Sequence, residues 1–316
     1  MPHILIAGAI HQDGLRLIDA APGYSYDYAP SMAAEDYLPY LARAEALVIR
    51  TQPVTQKALD LAPKLKLISR HGVGIDSVDV AAVTARGLPL MVTGETGARS
   101  VAEHAFAALL SLVKYLPQAD QAVRGGDWGW KHRLLSRDLS GRKLLLIGYG
   151  RIARMLAEMA APFGIEIRAY SPSLTEWPDG PATRAEDLNA ALAWAEMVSI
   201  HAPWRGRPLL GAAELALLPK GALLVNTSRG GVVDELALSE ALTSGQIGGA
   251  ALDVFRDEPP PADHPLLTAP NLMLSPHIAG VTEDAARRLA LTALQNVFDY
   301  FAGHPNPSLI VNGIRP

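Results

Sequence analysis

The chain has 316 residues, 49% of them hydrophobic and 19% charged, with a formal net charge of −4. That length fits two domains better than one core, and the slightly acidic balance gives no electrostatic reason to expect nucleic acid or an anionic membrane as a partner. With no cysteine in the sequence, disulfides, zinc–thiolate sites and thiol catalysis are excluded together, no metal site is expected, and the cytoplasm is the fitting compartment.

The opening Met1-Pro2-His3-Ile4-Leu5-Ile6-Ala7-Gly8 lacks a basic leader and reads as a first strand. The longest apolar stretch, about 105–113, is far short of a membrane span. Strands are expected at 4–7, 46–49, 65–69 and 88–92. A helix is expected over about 100–116, with Ser100 and Glu103 in capping-box relation and Pro117 marking its end. Residues 118–140 break the rhythm: Gly125-Gly126-Asp127-Trp128-Gly129-Trp130 has no clean period. This stretch reads either as a surface loop or as an arm that packs on a second copy, since exposed aromatics seldom go unused. From Lys143 the alternation resumes, with strands expected at 143–147, 165–170, 197–201, 222–226, 249–254 and 272–275, then a helix at about 283–301. Short apolar runs alternating with helical patterns signal βαβ units, hence an α/β fold with parallel sheets.

The six later strands end, in order, on Gly148–Gly150, Ser171, His201–Pro203, Thr227–Arg229, Asp253 and His277. In an open parallel sheet ligands bind outside the carboxyl ends of the strands, so these ends describe one cleft edge. Gly148-Tyr149-Gly150-Arg151-Ile152-Ala153 matches G-x-G-x-x-G/A. Here it follows a strand and opens a helix with one apolar face, the context that makes the motif a dinucleotide fingerprint. Gly148 permits the tight turn, Gly150 lets the backbone approach a pyrophosphate, and the free N–H groups around Arg151 and Ile152 stabilise it. An acid is expected at the next strand end, for the adenosine ribose; Ser171 stands there instead. Ser171 is either a turn residue before Pro172 or a contact that brings no charge to repel a 2′-phosphate, so NAD and NADP are both candidate cofactors.

Taken with Ser100-Val101-Ala102-Glu103-His104, Leu224-Val225-Asn226-Thr227-Ser228-Arg229-Gly230-Gly231, Asp253-Val254-Phe255 with Glu258-Pro259, and Ser275-Pro276-His277-Ile278-Ala279-Gly280, the chain resembles the D-isomer-specific 2-hydroxyacid dehydrogenases, close to the glyoxylate/hydroxypyruvate reductases and phosphoglycerate dehydrogenases. The resemblance implies Arg229, Glu258 and His277 as the catalytic residues. Their chemistry fits the reduction of a 2-oxo acid. A histidine titrates near operating pH and can protonate the carbonyl oxygen. Glu258 would hold the other imidazole nitrogen, and Arg229 offers a planar fork for carboxylate and carbonyl. The resemblance also makes Asp253 the acceptor for the nicotinamide carboxamide, against the plainer reading of a strand-end cap. It places His201, Pro203, Thr227, Ser228 and Gly280 beside the cofactor. Arg70-His71-Gly72-Val73-Gly74 resembles the family's loop whose backbone amides, at Val73 and Gly74, hold the substrate carboxylate, against the plainer reading in which Gly72 and Gly74 serve only the turn. Arg50 is either a further cation for that pocket or an ordinary surface arginine. His104 reads as a packed or interdomain histidine, and His201 as neither acid nor base.

The fold so implied is two Rossmann-like domains. A substrate-binding domain would comprise 1–97 and 284–316, with the dinucleotide-binding domain, 98–283, inserted into it and the catalytic cleft between them. A homodimer is expected, with a small 2-oxo or 2-hydroxy acid as substrate. The alternatives are a non-enzymatic dinucleotide-sensing interaction protein on the same scaffold, and a formate dehydrogenase, whose histidine usually pairs with Gln where this chain has Glu258.

Overall fold

A computed structural model describes residues 1–134 and 136–314. Leu135, within the aperiodic 118–140 stretch, and Arg315 and Pro316, at the end of the closing segment, lie outside the described residues. The chain divides into two units, one formed by residues 1–97 and 281–316 and the other by 98–280.

The first unit begins with β1 (His3–Ala7), α1 (Gln12–Asp19), β2 (Ser25–Ala29), β3 (Ala46–Ile49), α2 (Gln56–Asp60), β4 (Leu67–Arg70), α3 (Val80–Ala85) and β5 (Leu90–Met91). Its strands pair in parallel in the order β2-β1-β3-β4-β5. The unbroken apolar runs follow from burial of both faces. Leu5, Leu47 and Ile68 face one core cluster, while Ile4, Ile6, Val48 and Leu67 face the other.

The second unit opens with α4 (Ala98–Lys114) and α5 (Leu116–Arg124). There follow β6 (Lys143–Ile147), α6 (Arg151–Ala160), β7 (Glu166–Tyr170), β8 (Thr183–Arg184), α7 (Leu188–Trp194), β9 (Met197–Ile200), α8 (Ala212–Leu217), β10 (Ala222–Asn226), α9 (Glu235–Thr243), β11 (Ile247–Leu252) and β12 (Leu272–Leu274). The sheet is again parallel, in the order β12-β11-β10-β9-β6-β7-β8. Leu144, Leu146 and Val225 pack on the face covered by α4 and α6, and Leu145, Ile147, Val198 and Leu224 on the other. The chain then returns to the first unit as α10 (Glu283–Phe301), capped by the Thr282 hydroxyl, which accepts from Ala285 N–H. Its Ala293, Leu294 and Val297 complete the first unit's second cluster. Among the described residues no helix is long and apolar enough to cross a membrane.

Three expectations need correction. Ser100 and Glu103 form no capping box, because the helix already starts at Ala98; Glu103 pairs instead with Arg99, Nε to Oε1 2.9 Å. Pro117 does not follow the end of α4 as a bare stop. Tyr115 turns the chain at φ +53°, and Pro117 lies in the first turn of α5, where its missing N–H costs nothing. Part of the 118–140 stretch is therefore helical, yet α5 buries none of its residues.

Candidate active site

The order of each sheet reverses once, and such a switch point opens a crevice at the carboxyl strand ends. In the second unit it falls between β6 and β9. Gly148, at the end of β6, has φ +90°, and a Cβ there would lie 2.5 Å from the His201 carbonyl oxygen at the end of β9, so only glycine fits. Gly150 differs. A Cβ on it would touch nothing within 4 Å, and its φ of −77° is open to any residue. Nothing in the protein itself demands glycine at 150, whereas a ligand drawn close to the backbone would. Gly150 is the N-cap of α6 and supplies no side-chain cap, leaving the first-turn N–H groups of Ile152 and Ala153 to an outside acceptor. These residues fit a dinucleotide diphosphate.

Around that turn, Ser171 is buried just beyond β7, and the Thr227 hydroxyl is buried without a hydrogen-bond partner beyond β10. The His201 ring meets Ser199 Oγ at 2.9 Å, and burial pushes its pKa down to about 4, so it is neutral at pH 7. Pro203 is exposed, and Gly280 ends the unit beside Val101. The arginines nearest in sequence to Ser171 have protein partners. Arg168 lies over the Trp194 ring at 4.2 Å, and Arg184 Nε pairs with Glu186 at 3.1 Å.

The loops after β10, β11 and β12 converge. Asn226 braces the first, accepting from Ser228 N–H at 3.0 Å and donating to the Arg229 carbonyl at 2.9 Å. A Cβ on Gly230 would fall 1.9 Å from the Phe255 carbonyl, so glycine is required where the Arg229 loop crosses the loop after β11. On that second loop Glu258 accepts the Phe255 N–H at 3.0 Å through Oε1 and meets His277 Nδ1 at 2.7 Å through Oε2. An ionised carboxylate only accepts, so Nδ1 carries a proton and Nε2 becomes the nitrogen that exchanges protons with a ligand. His277 remains 52% exposed and therefore reachable. A cavity of about 430 Å³ adjoins the pair, lined by Phe255, Leu267, Leu274 and Pro276 as well as His277 and Glu258.

Asp253 has a structural task of its own. Its side chain is 1% exposed and already accepts from the Ser275 hydroxyl, Ile278 N–H and Ala279 N–H. It is first of all the anchor of the turn that carries His277. His104 joins the same cluster, Nε2 lying 3.3 Å from Ser275 Oγ. The two residues are 171 positions apart, a separation at which no sequence spacing marks the link.

In the first unit the switch point lies between β1 and β3. Arg50, beyond β3, donates to the Ala9 carbonyl at 2.7 Å, and burial lowers its pKa. Gln52, which the sequence reading passed over, is 1% exposed; its Nε2 donates to the Ser31 carbonyl at 2.8 Å while Oε1 has no partner. His71, in the loop after β4, is buried with Nε2 unpartnered; burial first, then the Arg50 charge, lower its pKa to about 4. Val73 stands half-exposed at the tip of that loop, next to Gly72 at φ +148° and Gly74. Among the described residues no group of three or more His, Cys, Asp or Glu is placed to hold a metal ion.

Residues 106–279 match the family model described as D-isomer specific 2-hydroxyacid dehydrogenase, NAD binding domain. A D-3-phosphoglycerate dehydrogenase of Methanocaldococcus jannaschii is 35% identical over 91% of this chain, which spans only 55% of that protein's length. A glyoxylate reductase of Thermofilum pendens is 33% identical, the match covering 100% of this chain and 97% of that one. Among solved structures, an NADPH-dependent glyoxylate/hydroxypyruvate reductase from Sinorhizobium meliloti superposes with a TM-score of 0.87 at 27% identity, covering 100% of both chains.

Proposed function

The chain belongs to the D-isomer specific 2-hydroxyacid dehydrogenase family, and from that premise we propose that it reduces a small 2-oxo acid of the glyoxylate or hydroxypyruvate kind to the 2-hydroxy acid. The observation that carries this reading is the His277–Glu258 pair, 2.7 Å apart and braced by the Phe255 N–H. A bound nicotinamide dinucleotide supplies the hydride for C2 of the acid. His277 gives its Nε2 proton to the carbonyl oxygen as charge develops there, and Glu258, on Nδ1, holds the ring in line for that transfer. Arg229, whose Nη1 donates to the Ser228 carbonyl at 2.7 Å, offers the remaining donors of its planar fork to the substrate carboxylate and carbonyl oxygen. Arg50 and the amides of Val73 and Gly74 hold the carboxylate end from the substrate-binding unit.

The residues that would hold the dinucleotide are Gly148, Gly150, Arg151 and Ile152 at the diphosphate and Ser171 at the adenosine ribose, with His201, Pro203, Thr227, Ser228 and Gly280 as its further contacts. Asp253 would accept from the nicotinamide carboxamide, as the family resemblance implies. Without a carboxylate at 171, NADPH is accepted alongside NADH; the Sinorhizobium meliloti neighbour uses NADPH. The protein works as a homodimer, a reading supported by an exposed arm in which Val123 and Trp128 meet solvent, and its cysteine-free sequence fits the cytoplasm. A monomeric mass by light scattering at working concentration removes that part. The function itself is tested by a spectrophotometric panel of glyoxylate, hydroxypyruvate, larger 2-oxo acids and phosphohydroxypyruvate against NADH and NADPH. Turnover of a small 2-oxo acid supports the reading, and silence across the panel refutes it.

A further inference from the structure

His277 has φ +55°, a left-handed conformation that a residue with a Cβ rarely adopts. Such a conformation persists only where the surroundings over-determine it. Asp253 does so from both sides. Its backbone carbonyl accepts the His277 N–H at 2.8 Å. Its carboxylate takes the next two amides, Ile278 N–H on Oδ1 and Ala279 N–H on Oδ2, each at 2.8 Å. Two residues before the histidine, the Ser275 hydroxyl donates to Oδ1 at 2.6 Å. The turn is thus clamped to one buried carboxylate before and after the strained residue.

Ser275 has one hydroxyl proton, and Asp253 takes it. Toward His104 its oxygen can therefore only accept, so the hydrogen in the 3.3 Å contact sits on His104 Nε2. The bonds run in one direction, from His104 on α4 through Ser275 to Asp253. We propose that His104 and Ser275 are positioning residues for proton transfer: acting through Asp253, they hold the 275–279 turn so that His277 Nδ1 meets Glu258 and Nε2 faces the substrate. This rests on His277 being the proton donor. Neither residue touches the reacting atoms, and both lie in the same unit as the pair they position.

The test separates a hydrogen-bonding role from simple space-filling. Ser275→Ala removes a bond to a charged acceptor and lowers kcat by about 10–100-fold, while Ser275→Thr, which keeps the hydroxyl, recovers most of the loss. His104→Phe keeps bulk but loses one neutral hydrogen bond, lowering kcat about 3–10-fold, and His104→Gln restores a donor and recovers most of it. Dinucleotide Kd, read by fluorescence on the same variants, stays within about threefold of wild type, since the diphosphate turn is elsewhere. Equal activity of Gln and Phe at 104, wild-type kcat in Ser275→Ala, or losses confined to dinucleotide Kd each overturn the proposal.

A histidine-selective ¹⁵N spectrum reads the same geometry without turnover. The wild type keeps a protonated, hydrogen-bonded His277 Nδ1, and Ser275→Ala loses that signature; an unchanged signal overturns the proposal. Wild-type protein inactive on every 2-oxo acid would refute the proposed function and leave this spectrum to decide the positioning role alone.

Discussion

At the strand ends of the second unit, Asp253 accepts three side-chain hydrogen bonds and Glu258 two, and the turn between them is pinned. At the strand ends of the first unit, Gln52 Oε1 and His71 Nε2 are buried with no partner at all. The contrast separates two physical tasks. A group that must deliver a proton along one line gains from being fixed before the ligand arrives, because reorganisation during the reaction then costs nothing. A surface that must recognise a ligand carries polar atoms whose partner is the ligand or its water, and each such orphan costs about 1–3 kcal/mol of folding stability until it is met. On the proposed function, the turn that carries His277 is set for proton delivery, while the orphaned atoms of the first unit, like the Thr227 hydroxyl of the second, are set for recognition.

The sharpest way to break the comparison is at the fixed end. His277→Ala should lower kcat by about 10²–10⁴-fold with dinucleotide affinity nearly unchanged, measured by steady-state turnover beside a binding titration. Near wild-type turnover would remove the proton donor. Arg229→Lys keeps the charge but loses the planar fork, and the loss of one charge-assisted bond lowers kcat/KM toward 2-oxo acids by about 10–100-fold. Full activity in that variant would reduce Arg229 to a point charge.

The recognition end is probed by acid. His71 is lowered to about 4 in the fold against an ordinary value of 6.5. Above pH 6.5 the ring is neutral whether the chain is folded or unfolded. As pH falls from 6.5 toward 4 the unfolded chain takes up the proton first, so stability is lost through that window. About 2 kcal/mol should separate pH 7 from pH 4.5 on account of this one ring. His71→Gln should flatten that slope in urea melts, and an unaltered slope would place the acid sensitivity elsewhere. A smaller effect is expected at the cofactor. Ser171→Asp adds a like charge beside a 2′-phosphate and should raise KM for NADPH about tenfold or less, with NADH little changed. A wild type that ignores NADPH while using NADH well would make Ser171 a plain turn residue.

Much of this was legible in the sequence where burial leaves a strong pattern. Strands with both faces covered, such as Leu144–Ile147 and Ala222–Asn226, read as unbroken apolar runs. The edge strand Ser25–Ala29 went unread because its Ser-Tyr-Asp-Tyr pattern is only half-buried, and β8 because it has two exposed residues. α5 was hidden by the absence of any buried face, so no apolar stripe marked its period. The His277–Glu258 pair was legible through its surrounding motif. The His104–Ser275–Asp253 chain and the orphaned Gln52 were not, because each depends on segments far apart in the chain coming together.

The central claim is that the pinned histidine serves a reduction. It is met most directly by following dinucleotide binding and oxidation on one wild-type sample, first alone and then with glyoxylate or hydroxypyruvate added. The predicted result is binding without oxidation until the acid is present, then one 2-hydroxy acid formed for each reduced dinucleotide consumed. Tight dinucleotide binding with no oxidation under any 2-oxo acid would contradict it and identify a nucleotide-sensing protein on the same scaffold.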